Sequence, residues 1–480
     1  MRNETKTENR EPNRGSITLL VVVFAGIMVM IFGGTVGFIL TQHRLQVKKA
    51  DKEMAMQIAE AGLDYYRWFL AHYPDDLQNG TGAPGPYERE YFDPEGGAIG
   101  KFSLEISGNS VCGSVSSIDI SSTGWTYADP AIKRNIAARY SRPSVAEYAY
   151  IIDDNVWAGS DRKITGKYHS NGGIRMDGEN DSLVTSAMEK WNCTSSFGCA
   201  SPYEVKDGVF GGGGGSDLWK YPVEKIDFTS ITLDLAKMKR AAEDYGVYIP
   251  PSGSDGYHAV FKNDGTLDVY KVTRIQNIGS YSSDEGWHWS PEYISRETFY
   301  NNYQIPAGCG LIFIEDDLWL EGEVNGKVSI ASADLLNANK DADVWLNGSI
   351  TYANDDGSDG LLVIGERSVR IPVYSPDSME LNGIFVAQKG HFGRNHYTTS
   401  GTYKVPYSLR NYVKRDFLKI NGSIVSKGRV GTKWGSSDGT FLSGYENRQN
   451  SYDRKLMTNP PPMTPFSDDE YVFINWEEKQ

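Results

Sequence analysis

Arg14-Gly15-Ser16-Ile17-Thr18-Leu19-Leu20 opens a run that stays free of charged side chains from Ile17 to Leu40, 24 residues in all. At a helical rise of 1.5 Å per residue this run is about 36 Å long, enough to cross a hydrocarbon core of roughly 30 Å. A secretory signal peptide has a shorter apolar region with a small-residue cleavage site behind it, and residues 41–45 offer no such site. The sequence therefore predicts one membrane-spanning helix, with any processing site in front of it.

The helical pattern continues beyond the apolar run. No proline interrupts the chain from Ser16 to Tyr73, and Pro74 then supplies a stop signal. Apolar residues recur at spacings of three and four along one face: Val47, Ala50, Met54, Ile58, Ala61, Tyr65 and Trp68. We therefore expect one helix over 16–72, half in the membrane and half covered by its own ectodomain.

The junction and the helix together carry a resemblance. Arg14-Gly15-Ser16 before an apolar helix, followed by Gln57–Leu63 (Gln-Ile-Ala-Glu-Ala-Gly-Leu), resembles the start of type IV pilus minor pilins and of K-type minor pseudopilins. The resemblance implies a prepilin-type leader over 1–15, cut by a prepilin peptidase between Gly15 and Ser16. It also implies that the helix packs among other pilin-like subunits in a filament core, with the ectodomain outside the cell. An uncleaved anchor with a juxtamembrane helix is the alternative.

The chain departs from the family at one position. Most major pilins carry Glu at the fifth residue of the mature chain, where this sequence has Leu20. That Glu pairs with the N-terminal ammonium of a neighbouring subunit, since a buried carboxylate is tolerable only when paired. A subunit at the filament tip has no neighbour to supply the partner charge, so Leu20 fits a tip position. It fits equally a protein that never enters a filament.

Composition sets limits on the rest of the chain. A length of 480 residues predicts two or three domains, and a net charge of −14 argues against nucleic acid as a partner. The content of 51 Gly and 29 Tyr favours turn-rich β structure. Lysines and arginines flank the apolar run on both sides, so charge alone does not decide the orientation in the membrane.

A small β-rich head is expected over 73–143. Gly100–Ile106 and 115–120 alternate polar and apolar residues, 121–125 (Ser-Ser-Thr-Gly-Trp) is interpreted as a turn, and 132–140 as a returning strand. This arrangement resembles the small sheet that follows the helix in pilins. The fold class is therefore α+β: a long transmembrane pilin-like helix, a small pilin sheet, and a large mainly β ectodomain.

The large β-rich domain is expected over 144–464, with a C-terminal tail over 465–480. Two interpretations of its Asn-Gly pairs stay open: tight hairpins, or the corners of a parallel β-solenoid, which we favour. The pairs lie between alternating apolar residues in Val324–Val328, Leu346–Ile350, Leu381–Phe385 and Ile420–Ile424.

Other segments of this domain are less regular. Gly211–Gly215 is expected to be a flexible loop, and Ile231–Asp244 an amphipathic helix capped near Thr229 or Ser230. Three segments resemble uncharacterised pilin-like surface proteins of small-genome bacteria and add architecture rather than chemistry: Val156–Ser160, Gly166–Ile174 and Tyr452–Pro462.

The cysteines predict a loop staple rather than a metal site. Cys193 and Cys199 most plausibly close a small surface loop as a disulfide in an exported protein. Free thiols are the alternative, and a zinc site would need further ligands, since no His lies near the pair at ligand spacing. The pairing state of Cys112 and Cys309 stays open.

Candidates for catalysis are few. Glu315-Asp316-Asp317 follows an apolar strand and could supply paired carboxylates, but a solvated acidic turn is the favoured interpretation. His391 and His396 are interpreted as solvated loop residues, and Asn354–Gly360 as an Asp/Gly turn rather than a calcium loop. No nucleophile elbow, phosphate loop or dinucleotide fingerprint occurs, so we expect neither an enzyme nor a cofactor.

The sequence therefore predicts a structural, minor pilin-like subunit at the cell surface that primes or tips a filament. Aromatic residues such as those of Tyr281–Trp289 serve either a glycan or protein surface or the core, and the sequence does not separate the two. The alternative function is a membrane-anchored extracellular β-solenoid that binds or cleaves polysaccharide.

Overall fold

The computed structural model describes residues 14–74, 76–337, 339–436, 439–468 and 470–479. The chain divides into two compact units. The helix unit holds the described residues up to Ser107, with Asp119–Arg139 and the residues from Asn475 onward. The larger unit holds Gly108–Ile118 and Tyr140–Ile474. Most of the predicted leader, residues 1–13, lies outside the described residues.

The α-helices are α1 Arg14–His72, α2 Phe228–Ile231, α3 Leu235–Tyr245 and α4 Arg454–Thr458. Short 3₁₀ helices occur at Val145–Glu147, Ser195–Phe197, Ser216–Leu218 and Tyr407–Tyr412. The strands are β1 Tyr87–Phe92, β2 Ala98–Val111, β3 Ser114–Thr126, β4 Lys133–Ser141, β5 Tyr148–Ile152, β6 Val156–Ala158, β7 Arg162–Thr165, β8 Lys167–Ser170, β9 Ile174–Met176, β10 Glu179–Asn180, β11 Val184–Ser186, β12 Lys190–Cys193, β13 Glu204–Asp207, β14 Val209–Phe210, β15 Trp219–Lys220, β16 Val247–Ile249, β17 Tyr257–Phe261, β18 Thr266–Ser282, β19 Gly286–Gln304, β20 Leu311–Ile314, β21 Leu318–Val324, β22 Lys327–Ser332, β23 Val344–Tyr352, β24 Gly360–Gly365, β25 Val369–Arg370, β26 Ser378–Ala387, β27 Phe392–Gly393, β28 Lys414–Ser426, β29 Lys433–Gly435, β30 Phe441–Ser451 and β31 Val472–Lys479.

Helix α1 runs unbroken for 59 residues and has two different halves. Every described residue of its apolar run from Ile17 to Leu40 is exposed. In the second half, one set of apolar side chains is buried within the helix unit: Ala55, Ile58, Ala59, Leu63, Tyr66, Phe69 and Leu70. A long apolar helix followed by a large, mostly β domain is therefore the architecture of this chain.

The small sheet has the strand order β1-β2-β3-β4-β31. The turn expected over 121–125 is wrong, because β3 continues through these residues to Thr126. Gly124 serves helix packing instead: a Cβ there would lie 2.4 Å from the Ala55 carbonyl oxygen and the Ala59 nitrogen. The C-terminal residues, expected to form a tail, provide the last strand of this sheet, and Arg134 donates to Glu478 within it.

The larger unit is built mainly from parallel ladders. One ladder joins β16, β20, β22, β24, β26, β28, β5, β8, β11 and β15 in that order. A second joins β17, β21, β23, β25 and β27, and a third joins β26, β28, β30, β7 and β10. Their inward side chains form one large apolar cluster that includes Ile312, Ile330, Val363 and Phe385.

The Asn-Gly pairs lie within or between parallel strands, so the hairpin interpretation of them is wrong. Asn382-Gly383 of β26 lies in register with Asn421-Gly422 of β28. Gly383 and Gly422 have φ of +147° and +144°, which favours glycine. A Cβ on Gly422 would lie 1.8 Å from the Gly383 carbonyl oxygen. The pair forms a bend: Leu381, before it, pairs with β23, and residues 384–387, after it, pair with β24.

Two local expectations need correction. The helix expected over Ile231–Asp244 is divided into α2 and α3, and each begins at its own aspartate. The Asp227 side chain accepts from the Thr229 backbone N–H, and the Asp234 side chain from Lys237, so the caps are these aspartates rather than Thr229 or Ser230. An aspartate inside the expected helix starts a new one, because its carboxylate satisfies free N–H groups at that point.

Candidate functional site

The N-terminal helix is the strongest candidate for a functional element. It is the one described helix long and apolar enough to cross a membrane, by length and composition. Gly15 and Ser16 lie in its first turn, since the helix begins at Arg14. Leu20 is 56% exposed, and the residues beside it are exposed to a similar extent. The apolar surface of this part of α1 is therefore available to lipid or to other helices.

The interpretation of Glu315-Asp316-Asp317 as a solvated acidic turn is wrong, because Glu315 and Asp316 are buried and Asp317 is partly buried. Glu315 is 1% exposed and accepts from the Lys239 ammonium at 2.5 Å and from the Tyr248 hydroxyl. Asp316 accepts from the backbone N–H and the hydroxyl of Ser252, at 2.9 and 2.6 Å. Both carboxylates are held by protein donors, as structural carboxylates are, although the Oε1 atom of Glu315 has no hydrogen-bond partner among the described residues.

Asp317 is held by the segment between β22 and β23. Its side chain accepts from the Asp343 backbone N–H at 2.8 Å and pairs with Lys340 at 2.9 Å. Burial, and then the negative charge of Asp343, raises the pKa of the Asp317 carboxyl. Asp316 and Asp317 therefore satisfy the backbone N–H groups of Ser252 and Asp343.

The two histidines expected in a solvated loop are also packed. His391 is 5% exposed and its Nδ1 lies 2.9 Å from Asp284. His396 contacts the rings of Trp287 and Trp434, and burial lowers its pKa. His396 forms an antiparallel bridge with Tyr281 of β18. The loop that carries His396 therefore lies next to the β18–β19 hairpin, a contact that sequence spacing does not predict.

Asn354–Gly360 forms a turn in which the Asp359 side chain bonds back to the first residue, Asn354. Asp359 is 2% exposed and accepts from the backbone N–H of Gly326 and of Asn354. Asp355 pairs instead with Lys455. Among the described residues, no group of three or more His, Cys, Asp or Glu is arranged to hold a metal ion.

The cysteines form two disulfides. Cys193 and Cys199 are joined, with Cα atoms 5.8 Å apart, around a short loop that packs on Trp191 and Phe197. Cys112 and Cys309, whose state the sequence left open, are joined across 197 residues. Cys112 is the first residue of the two-residue turn between β2 and β3, and the disulfide ties this turn to the segment before β20.

The end of the β18–β19 hairpin presents aromatic rings to solvent. Trp287 is 42% and Trp289 51% exposed, and both contact the ring of Tyr403. Tyr281 meets Trp434 edge to face at 5.7 Å. Trp287 and Trp289 therefore lie at the surface, where large apolar side chains are exposed together, rather than in the core.

His258 is a charged centre that the sequence analysis did not single out. Its ring nitrogens lie 2.9 Å from Glu297 of β19 and 3.0 Å from Glu321 of β21. Burial alone would lower its pKa, but the hydrogen bonds to both carboxylates raise the pKa to about 9.

We predict that this histidine makes stability depend on pH. The folded pKa lies above the ordinary value of 6.5, so the stabilisation is complete below pH 6.5 and is lost as pH rises to about 9. Thermal unfolding of the full chain should show a falling midpoint across this window. His258→Gln should flatten the profile, whereas His43→Gln in the exposed part of α1 should not. An unchanged slope in His258→Gln would contradict the assignment.

Comparison with known proteins gives a remote structural likeness. No family model matches the sequence, and no curated protein does. Among solved structures, the chain is similar to the competence-associated pilin ComZ from Thermus thermophilus, at 13% identity and a TM-score of 0.27. The alignment covers 89% of this chain and 97% of that one.

Proposed function

We propose that this chain is a minor, pilin-like structural subunit of a type IV pilus-type filament. The observation that carries the proposal is helix α1, one continuous helix with an exposed apolar first half and a second half packed on a small sheet. Such a helix is stored in the membrane before assembly, and in a filament its apolar half is covered by the helices of other subunits. The ectodomain is then displayed outside the cell.

Proteolytic processing is proposed at the start of the same helix, α1. A prepilin peptidase cuts between Gly15 and Ser16 and frees the ammonium of Ser16 as the new N-terminus. Leu20 supports a tip or priming position, because the chain lacks the carboxylate that would pair with a neighbour's ammonium. The exposed rings of Trp287 and Trp289 support an adhesive role for the ectodomain.

The ectodomain is proposed to be a β-solenoid. Three parallel ladders share consecutive strands, and the bend at Asn382-Gly383 passes the chain from one ladder to the next. The alternative function is an anchored solenoid that binds or cleaves polysaccharide. The exposed rings of Trp287 and Trp289 support only the binding role. We propose no enzymatic activity, because Glu315 and Asp316 are engaged by Lys239 and Ser252.

The mature N-terminus tests the proposal. The full chain is isolated from membranes of cells with and without prepilin peptidase, and its intact mass and terminal sequence are determined. We expect a chain that begins at Ser16 only when the peptidase is present. Gly15→Val should leave the leader in place.

The matched control is Gly26→Val, since Gly26 lies in the same apolar run and a Cβ there meets no atom within 4 Å. This variant should still be cut. A chain that begins at Met1 in cells where the peptidase processes a control pilin would overturn the pilin proposal and leave an uncleaved anchor.

A further inference from the structure

A cavity of about 250 Å³ opens in the larger unit, beside His391 and Trp434. Its described lining includes four cationic side chains and the single carboxylate of Asp161. The cations come from four places in the chain: Arg162, Arg429, Lys433 and Arg448. In a chain with a net charge of −14, this local excess of positive charge is the reverse of the overall balance.

The charges are brought together by strand register. Arg448 of β30 lies directly opposite Arg162 of β7 in a parallel ladder. Like charges at facing positions destabilise a sheet, so folding alone does not explain the pair. The buried position of Arg448, and then the nearby charge of Arg162, lower the pKa of the Arg448 guanidinium to about 10.

Asp161 does not neutralise the group. It accepts three hydrogen bonds from Arg448, at 3.2, 2.9 and 2.7 Å, and lies 3.4 Å from Lys433. Arg162, 9% exposed, donates to the Tyr150 hydroxyl, and its Nε has no partner among the described residues. A buried guanidinium group with an unpaired N–H is costly, and an anion in the cavity would offset its charge.

Arg429 completes the cationic wall. It donates to the Ser196 carbonyl at 3.1 Å and lies over the Phe197 ring at 4.3 Å. Burial lowers the pKa of the Arg429 guanidinium, and the negative charge of Asp154, which lies outside the lining, opposes this shift. His391, also in the lining, is paired with Asp284. Among the described residues, Asp161, Asp154 and Asp284 are counted against the four arginine and lysine side chains, which leaves one positive charge.

Two indole rings lie in the same wall. The Trp157 N–H donates to Asp177 at 2.8 Å, and the Trp434 N–H donates to the Arg394 carbonyl at 2.8 Å. Because these bonds fix the rings, the cavity combines rigid apolar faces with charged donors. Clefts for drug-sized ligands span roughly 300–1,000 Å³, so this smaller cavity suits one sugar ring of a longer chain.

We propose that this cavity binds a single acidic sugar unit, bearing a carboxylate or a sulfate, of an extracellular glycan. The acidic group pairs with Arg162, Arg429 and Lys433, and the ring lies against Trp157 or Trp434. A nucleic acid is disfavoured, because it would need a long basic surface and this chain is acidic overall. Use of the cavity in adhesion rests on the proposed function, whereas binding itself does not.

Calorimetric titration of the purified full chain in detergent micelles tests the proposal apart from filament assembly. The probes are a galacturonic acid trimer, galactose 6-sulfate and the neutral galactose trimer. We expect at least one anionic probe to bind about tenfold or more tightly than the neutral trimer, with weaker binding as salt rises. The two anionic probes identify which acidic group is preferred.

Variants locate the site. Arg429→Gln should weaken anionic binding about tenfold, and Lys433→Gln gives a second test should the first fail to fold. Lys419→Gln, a surface lysine paired with Glu380, should bind as the unaltered chain does. Equal affinity for the neutral trimer, no binding of either anionic probe, or unchanged binding by both folded variants would each overturn the proposal.

Discussion

Loss of the Cys112–Cys309 disulfide is expected to lower the free energy of unfolding by on the order of 4 to 5 kcal/mol. The bond closes a loop across 197 residues, and a crosslink over a long loop removes more conformational freedom from the unfolded chain than a short one does. The double variant Cys112→Ser/Cys309→Ser should therefore unfold at a clearly lower urea concentration, measured by tryptophan fluorescence of the full chain in micelles.

The second disulfide is the matched control. Cys193 and Cys199 are separated by only 6 residues, so the same Ser replacements there should cost about 2 kcal/mol. Both double variants exchange two sulfurs for two hydroxyls, so the difference between them reports loop length. Equal losses, or a larger loss from the short loop, would contradict the assignment of the long-range bond as the main stabilising crosslink.

The helix could be predicted from sequence because its pattern is local. An uncharged run of 24 residues and a continuing apolar stripe specify a helix without reference to distant residues, and the structure has it from Arg14 to His72. The turn at 121–125 failed for the opposite reason. Ser, Thr and Gly are typical of turns, but Gly124 is required where the strand passes close to α1, a tertiary contact.

The ladders could be anticipated only in part. Asn-Gly between apolar residues is compatible with a hairpin or with a bend in a parallel stack, and the choice depends on which distant strand pairs with it. The pairing of Gly383 with Gly422 is such a long-range fact. Strand register is set by the whole stack, so a single segment does not reveal it.

Charged residues were the hardest to place. Glu315 looked solvated because acidic residues after a strand usually are, yet it is 1% exposed with Lys239 as partner. The cationic cavity joins Arg162 to Arg448, which no local motif connects. Buried charges depend on partners far away in sequence, so a single sequence gives little indication of them.

Asp343→Asn is expected to destabilise the larger unit by about 3 to 5 kcal/mol, because it breaks a buried ion network. Asp343, 3% exposed, is bound by the guanidinium groups of Arg367 and Arg370 and accepts from the Ser368 backbone N–H at 3.2 Å. Burial alone would raise the pKa of the Asp343 carboxyl, but the two arginines hold it below its ordinary value. Asn keeps the shape and removes the charge.

The cost falls on Arg370, which is 1% exposed and stacked 4.4 Å over the Trp345 ring. Without Asp343, its nearest anion among the described residues is Glu285, at 3.6 Å. Asp341→Asn is the control two residues away: Asp341 is 36% exposed and pairs with Lys389, so its loss should cost less than about 1 kcal/mol. Urea unfolding of both variants measures the difference. Similar small losses would mean that water reaches Arg370 and replaces the missing carboxylate, contrary to the buried network described for Asp343.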